Sequence, residues 1–224
     1  MNRLPLIAVI LWLGSATNAL AQNDRRAYAG VLVGVSTLSA DAASVTSSPA
    51  VSLSLYAPEN GLALDAFAGL HLAPYFSIQA NYMWNRNDLT LFSSFGAETT
   101  GGFYEQQRRS AQHAIVLDGL IYFRDLDSVI RPYLGTGLAV FHFASRAVTR
   151  TVSGGLGAPT RDIASTRLAL RSAVGIDILV ARHLRLRYSF SETISGNPIS
   201  PHLMPPGERR LANFQNLLGV VGTF

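Results

Sequence analysis

The chain has 224 residues, 18 of them basic and 14 acidic, for a formal net charge of +4, and it contains no cysteine. It is 48% hydrophobic but only 14% charged, well below the roughly 25% usual for a water-soluble domain. The missing cysteines exclude a disulfide-stapled secreted module, and arginines that are scattered, with no lysine among them, argue against a nucleic-acid surface.

Residues 1–21 read as an export signal that is cleaved. Arg3 supplies the positive start, Leu4 to Leu13 an apolar run, and Ala19-Leu20-Ala21 a small-x-small site before Gln22. That run is shorter than the roughly 18 apolar residues a spanning helix needs. No later stretch supplies such a helix, so a membrane form of this chain crosses as strands. The mature segment, 22–224, has the length of one domain.

Period-2 patterning then predicts eight strands, in order Arg26–Thr37, Gly61–Leu72, Tyr75–Asp88, Ala111–Phe123, Arg131–Arg146, Ser165–Val180, His183–Ile194 and Leu211–Phe224. The third is the cleanest: Phe76, Ile78, Ala80, Tyr82 and Trp84 alternate with Ser77, Gln79, Asn81, Met83 and Asn85. In the sixth, Leu168, Leu170, Val174, Ile176 and Ile178 oppose Arg167, Arg171 and Asp177; in the seventh, Leu184, Leu186, Tyr188 and Phe190 oppose Arg185 and Arg187. The last strand sets Phe214, Leu218, Val220 and Phe224 against Asn213, Gln215, Leu217 and Val221.

A soluble sandwich gives the same alternation with the apolar face inward. Two features favour a membrane barrel. Tyr82, Trp84, Tyr188, Phe190, Phe214 and Phe224 lie on the apolar face near strand ends, where interfacial girdles fall. The connections also alternate between short ones (Ala73-Pro74, Arg124 to Ile130, Ala181-Arg182) and long ones (Leu38–Asn60, Leu89–Ser110, Ala147–Ala164, Ser195–Arg210). Strict alternation marks an up-and-down barrel with short periplasmic turns and long outer loops. The expected fold is therefore all-β: an eight-stranded antiparallel transmembrane β-barrel in the outer membrane, with both termini periplasmic.

Together the signal, the Pro132-Tyr133-Leu134-Gly135-Thr136-Gly137 segment, Leu186-Arg187-Tyr188-Ser189-Phe190 and the closing Phe214–Phe224 stretch resemble the small outer-membrane β-barrel superfamily, which includes the OmpA transmembrane domain and opacity-type proteins. The resemblance implies that Phe224 is the assembly signal recognised by the barrel assembly machinery. OmpA carries a peptidoglycan-binding domain beyond its barrel; a chain that ends at the eighth strand is expected to lack that role. The superfamily holds pores, adhesins, anchors and a few enzymes, so the resemblance bears on architecture more than on activity.

Asp65, Asp118, Arg171, Asp177, Arg185 and Arg187 are expected to face inward as a charge network, with Arg167 beside them. The interior of an eight-stranded barrel is only just wide enough for side chains to fill, so these charges either plug the lumen as ion pairs or line a narrow conducting path. Arg187 and Asp177 straddle the Ala181-Arg182 turn and are the expected pair. His142 with Ser145, and Ser191 with Glu192, are the candidate hydrolase elements, but each pair falls on opposite strand faces. His71 and His183 read as interfacial. No spacing resembles a metal site, and no cofactor is expected. The expected function is a non-enzymatic integral outer-membrane protein, structural or surface-interacting; the alternatives are a narrow pore for small solutes and a lipid-modifying enzyme. Outer-membrane lipid and lipopolysaccharide are the expected partners, through loop arginines such as Arg108, Arg109, Arg209 and Arg210; otherwise these loops are solvated and mobile. Nucleic acid is not an expected partner, and the oligomeric state stays open.

Overall fold

The computed structural model describes residues 27–47, 50–96, 101–153 and 161–224. The expected signal at 1–21, and Arg26 at the expected start of the first strand, lie outside the described residues. The described strands are β1 (Ala27–Leu38), β2 (Asp41–Ser47), β3 (Ala50–Pro58), β4 (Gly61–Ala73), β5 (Phe76–Arg86), β6 (Leu89–Gly96), β7 (Gly102–Tyr122), β8 (Ile130–Ser153), β9 (Ile163–Ala181), β10 (Leu184–Gly196) and β11 (Arg210–Thr223). All pair antiparallel in one sheet. Eight of them close a ring in the order β1-β4-β5-β7-β8-β9-β10-β11, with β11 returning to β1. Closure is what lipid demands, because an unpaired backbone group in hydrocarbon finds no partner.

The apolar face of the ring points outward. Leu168 is 77% exposed, Ile115 68% and Leu138 66%, while Asp65, Asp118, Asp177 and Arg187 are buried. In water this band would be an aggregation surface; against acyl chains it is the solvated face. That inversion excludes the soluble sandwich. The tight connections at Pro74-Tyr75 and Arg182-His183 lie at one end of the ring, as do the start of β1 and Phe224, whose N–H donates to the Ala27 carbonyl at 2.8 Å.

At the other end the structure departs from the expected loops. β2, β3 and β6 continue β1, β4 and β5 past short breaks, and β6 pairs with the first part of β7 from Leu89↔Arg108 to Phe95↔Gly102. With the far half of β8 they form a wall that rises on one side of the ring. Much of Leu38–Asn60, Leu89–Ser110 and Ala147–Ala164 is thus strand, not solvated loop. Alternation is weak here for a physical reason. Val45, Val51, Phe95 and Val148 are exposed on the outer side, Tyr56, Leu91 and Tyr104 are buried on the inner side, and Ser and Ala fill the rest. Buried Asn87 stitches the breaks: its Nδ2 donates to the carbonyls of Ser36 (2.9 Å) and Glu59 (3.0 Å).

Candidate functional site in the barrel lumen

A one-residue bulge beside the β9–β10 turn, between Leu184 and Arg185, sets the register that places Arg187 directly opposite Asp177, both on the inward face. Arg187 Nε and Nη2 donate to the two carboxylate oxygens of Asp177 at 2.6 and 2.8 Å. Its Nη1 reaches Gln79 Oε1 at 2.8 Å and its Nη2 also reaches the Tyr122 hydroxyl at 2.9 Å. The guanidinium carbon lies 4.9 Å from the centroids of both the Phe67 and Tyr133 rings and 5.7 Å from that of Tyr28. These partners come from β9, β5, β7, β4, β8 and β1, so one side chain on β10 bridges the lumen from wall to wall. Gly175 makes room for the arrangement, since a Cβ there would overlap the Tyr133 ring.

Closer to the tight-turn end, two further arginines tie down the connections. Arg185 donates to the carbonyls of Leu126 (2.5 Å) and Ser128 (3.1 Å). Arg131 donates to Pro74 O at 3.1 Å and stacks 3.8 Å from the Tyr122 ring centroid. Arg185 therefore braces backbone, with no ion pair among the described residues. His71 is not interfacial. It shares the inward parity of Asp65 and Phe67, is buried, stacks on Tyr28 with centroids 4.6 Å apart, and sits 2.5 Å from Ser77 Oγ through Nδ1.

A second layer centres on Arg171, whose guanidinium donates to Asp118 and, at 3.4 Å, to Asp65; Asn81 Nδ2 also donates to Asp118 at 2.8 Å. Gly137 leaves the space that Asp118 Oδ1 occupies, which a Cβ would overlap. Arg167 does not join this layer. It shares the parity of Arg171 but lies at the rim beside Gly196, where β10 ends; it is exposed and donates to Ser165 Oγ at 3.1 Å.

Above the charges comes an amide belt. Ser36 Oγ donates to Asn213 Oδ1 (2.7 Å), and Asn213 Nδ2 donates to Gln112 Oε1 (3.0 Å). Asn85 Nδ2 bonds Asn87 Oδ1 at 2.8 Å, and Gln215 Nε2 reaches Asn85 at 3.3 Å. Between belt and charges, Asp65 Oδ1, Asp118 Oδ1, Ser191 Oγ, Thr193 Oγ1 and Gln215 Oε1 are buried without a protein partner among the described residues; such atoms are where internal water is held.

The last layer is apolar. The connection from β10 to β11 folds down against the inner face of the wall, burying Ile199 and Leu203 with Tyr56, Leu91, Tyr104 and Phe143. Its backbone is held by side chains of the wall: Ser54 donates to Pro205 O, Ser93 to Met204 O, and Tyr104 to His202 O at 3.3 Å. Asn197 Nδ2 donates to the Tyr56 hydroxyl at 3.2 Å, and Asp41 accepts the Glu208 N–H. Burial pushes the Tyr56 phenol up to about 12 and raises that of Tyr104, so both stay neutral. This segment is therefore packed, not the mobile loop the sequence predicts. Arg108, expected on a solvated loop, is buried in the wall and donates to Ser145 O at 2.8 Å and Gln106 Oε1 at 2.6 Å.

The hydrolase elements stay apart. His142 faces outward, with Nδ1 2.8 Å from Thr166 Oγ1, while Ser145 faces inward and serves Arg108 through Oγ at 3.0 Å. Ser191 is buried, and Glu192, its neighbour, takes the opposite strand face. Among the described residues, no group of three or more His, Cys, Asp or Glu is placed to hold a metal. Arg131 and His71 were legible as inward by parity with Tyr133 and Asp65; the packed segment carried no such signal.

The sequence matches the family model described as an outer membrane protein beta-barrel domain over residues 6–216. The chain belongs to this family. It is an outer-membrane β-barrel protein. Among solved structures, it resembles outer membrane protein OprG from Pseudomonas aeruginosa at 10% identity, covering 90% of this chain and 97% of that one, with a TM-score of 0.50. Neisserial surface protein A is 16% identical, with 88% and 99% covered and a TM-score of 0.49. The Ail protein of Yersinia pestis is 6% identical, with 89% and 99% covered and a TM-score of 0.47. Identities this low bear on fold alone. No curated protein matches the sequence.

Proposed function

We propose that the protein is a closed, non-enzymatic outer-membrane barrel that acts through its outer surface, with the tight turns and both termini in the periplasm and the wall outside the cell. The observation that carries this reading is the wall-to-wall bridge at Arg187, which joins β10 to six other ring strands. A desolvated guanidinium held by a bidentate carboxylate costs several kcal/mol to separate from its partner, so it does not swing aside to pass solutes. The Arg171 layer, the amide belt and the apolar seal close the path again. The narrow-pore reading needs all of these to open together; for the enzyme reading, His142 and Ser145 fall on opposite faces, as do Ser191 and Glu192, and the His71–Ser77 contact is buried within the lumen.

The test is single-channel recording of the purified protein in planar bilayers. Flat baseline current is expected under conditions where a known porin gives steps. Reproducible unit conductance from the unaltered chain would overturn the closed reading. Exclusion of an externally added protease from a tag inserted after Asn23, in intact cells, checks the orientation.

A further inference from the structure

The outer face of β5, β7, β8 and β9 carries a graded arrangement that the lumen does not explain. A register row runs Trp84↔His113↔His142↔Thr166 across the four strands. On the ring side of this row lies the most exposed part of the apolar band, including Ile115 (68%), Leu117 (64%), Leu138 (66%) and Leu168 (77%). On the wall side, Arg109 stands directly opposite Arg146, both exposed. Like charges at directly opposed positions of an antiparallel pair repel. Arg146 has one acidic neighbour, Asp162, at 3.7 Å and well exposed, while Arg86 nearby is engaged with Asp88 at 3.2 Å. Arg109 has no ion pair among the described residues; Glu105 lies further out on the same strand face.

We propose that Arg109 and Arg146, with His113 and His142 four residues nearer the apolar band on the same strand faces, bind the phosphate-bearing headgroup of an outer-leaflet glycolipid. Two guanidinium groups opposed across adjacent strands can bracket one phosphate, each with bidentate geometry, and the anion relieves their repulsion. Nδ1 of each imidazole is engaged, His113 with the Tyr82 hydroxyl at 2.8 Å and His142 with Thr166 at 2.8 Å, which leaves Nε2 of each ring for the headgroup. A lipid fits better than a free anion because the apolar band continues directly from the histidine row on the same strands, where acyl chains would lie. Charged residues at this depth cost little in a barrel, whereas at the bilayer midplane they would be strongly disfavoured. The assignment rests on the reading that the wall faces outward from the cell.

The test uses protein purified from outer membranes and reconstituted into neutral phosphatidylcholine vesicles doped with either phosphorylated or dephosphorylated lipid A, with bound lipid measured by native mass spectrometry. The unaltered chain is expected to prefer the phosphorylated form by about 10- to 30-fold, the scale expected for two arginines at a charged lipid surface. R109Q/R146Q should lose that preference, and R182Q, which removes a charge at the tight-turn end, should keep it. If the glutamine pair does not fold, R109K/R146K, which keeps charge but not bidentate geometry, should lose most of it. Equal binding of the two lipids, retention by the double variants, or equal loss in R182Q would overturn the proposal. So would full competition by millimolar inorganic phosphate, which would mark a free-anion site. A conducting barrel that still selects the phosphorylated lipid would sink the closed reading and leave this one standing; a sealed barrel without selection would do the reverse.

Discussion

The Arg187–Asp177 pair is best probed by a double-mutant cycle of Arg187→Met and Asp177→Ala. Both side chains are about 1% exposed, and both carboxylate oxygens of Asp177 accept from Arg187. Arg187→Met therefore leaves a buried carboxylate without its donors and also frees Gln79 Oε1 and the Tyr122 hydroxyl. Removing one partner of a buried pair costs roughly 3–5 kcal/mol, and this change belongs at the upper end of that range. Asp177→Ala leaves the guanidinium with Gln79, Tyr122 and the surrounding rings, so about 3 kcal/mol is expected. Simple addition would then give roughly 7–8 kcal/mol, but the second change no longer strands a partner. The double variant should fall short of that sum by about 2–3 kcal/mol, the upper part of the usual coupling range. Equilibrium urea unfolding in lipid vesicles, followed by the heat-modifiable shift on gels and by tryptophan emission, measures each corner. Additivity within about 0.5 kcal/mol would refute the reasoning, because it would mean that lumen water satisfies each group independently.

Two further outcomes follow from the same geometry. Deleting Phe224, which is 63% exposed and whose N–H closes onto Ala27, should cut the yield of folded barrel in the outer membrane much more than it cuts export; unchanged folded yield from the shortened chain would show that this aromatic is not recognised. Leu203→Asp removes an apolar side chain that is 1% exposed in the seal; losing that burial costs about 2–3 kcal/mol locally, and trypsin should then cut at Arg209 or Arg210 in intact cells while the barrel band keeps its heat shift. Unaltered protease resistance would show that the segment does not depend on the apolar layer.

What the chain determined by itself was the ring. Lipid outside and polar side chains inside force a period of two, and each strand of the ring carries it, as Phe76 to Arg86 shows most clearly. Local connections were legible as well. The short Arg182-His183 connection makes β9 and β10 neighbours, and the alternation of each strand puts Asp177 and Arg187 on the inward face; the one-residue shift at Leu184/Arg185 that sets them directly opposite carried no such signal. The tertiary structure alone decided which charges meet across the lumen. Arg171 finds Asp118 and Asp65 at sequence separations of 53 and 106, which no local pattern encodes. It also decided height along the barrel axis: Arg167 and Arg171 share a face, yet one lies at an open rim and the other is sealed. The wall and the segment that seals it were hidden for a related reason. Outside the bilayer the solvent no longer demands an apolar outer face, so Ser, Ala, Val and Tyr can occupy either side, and only the pairing of β2, β3 and β6 onto β7 shows which residues the packed connection will cover.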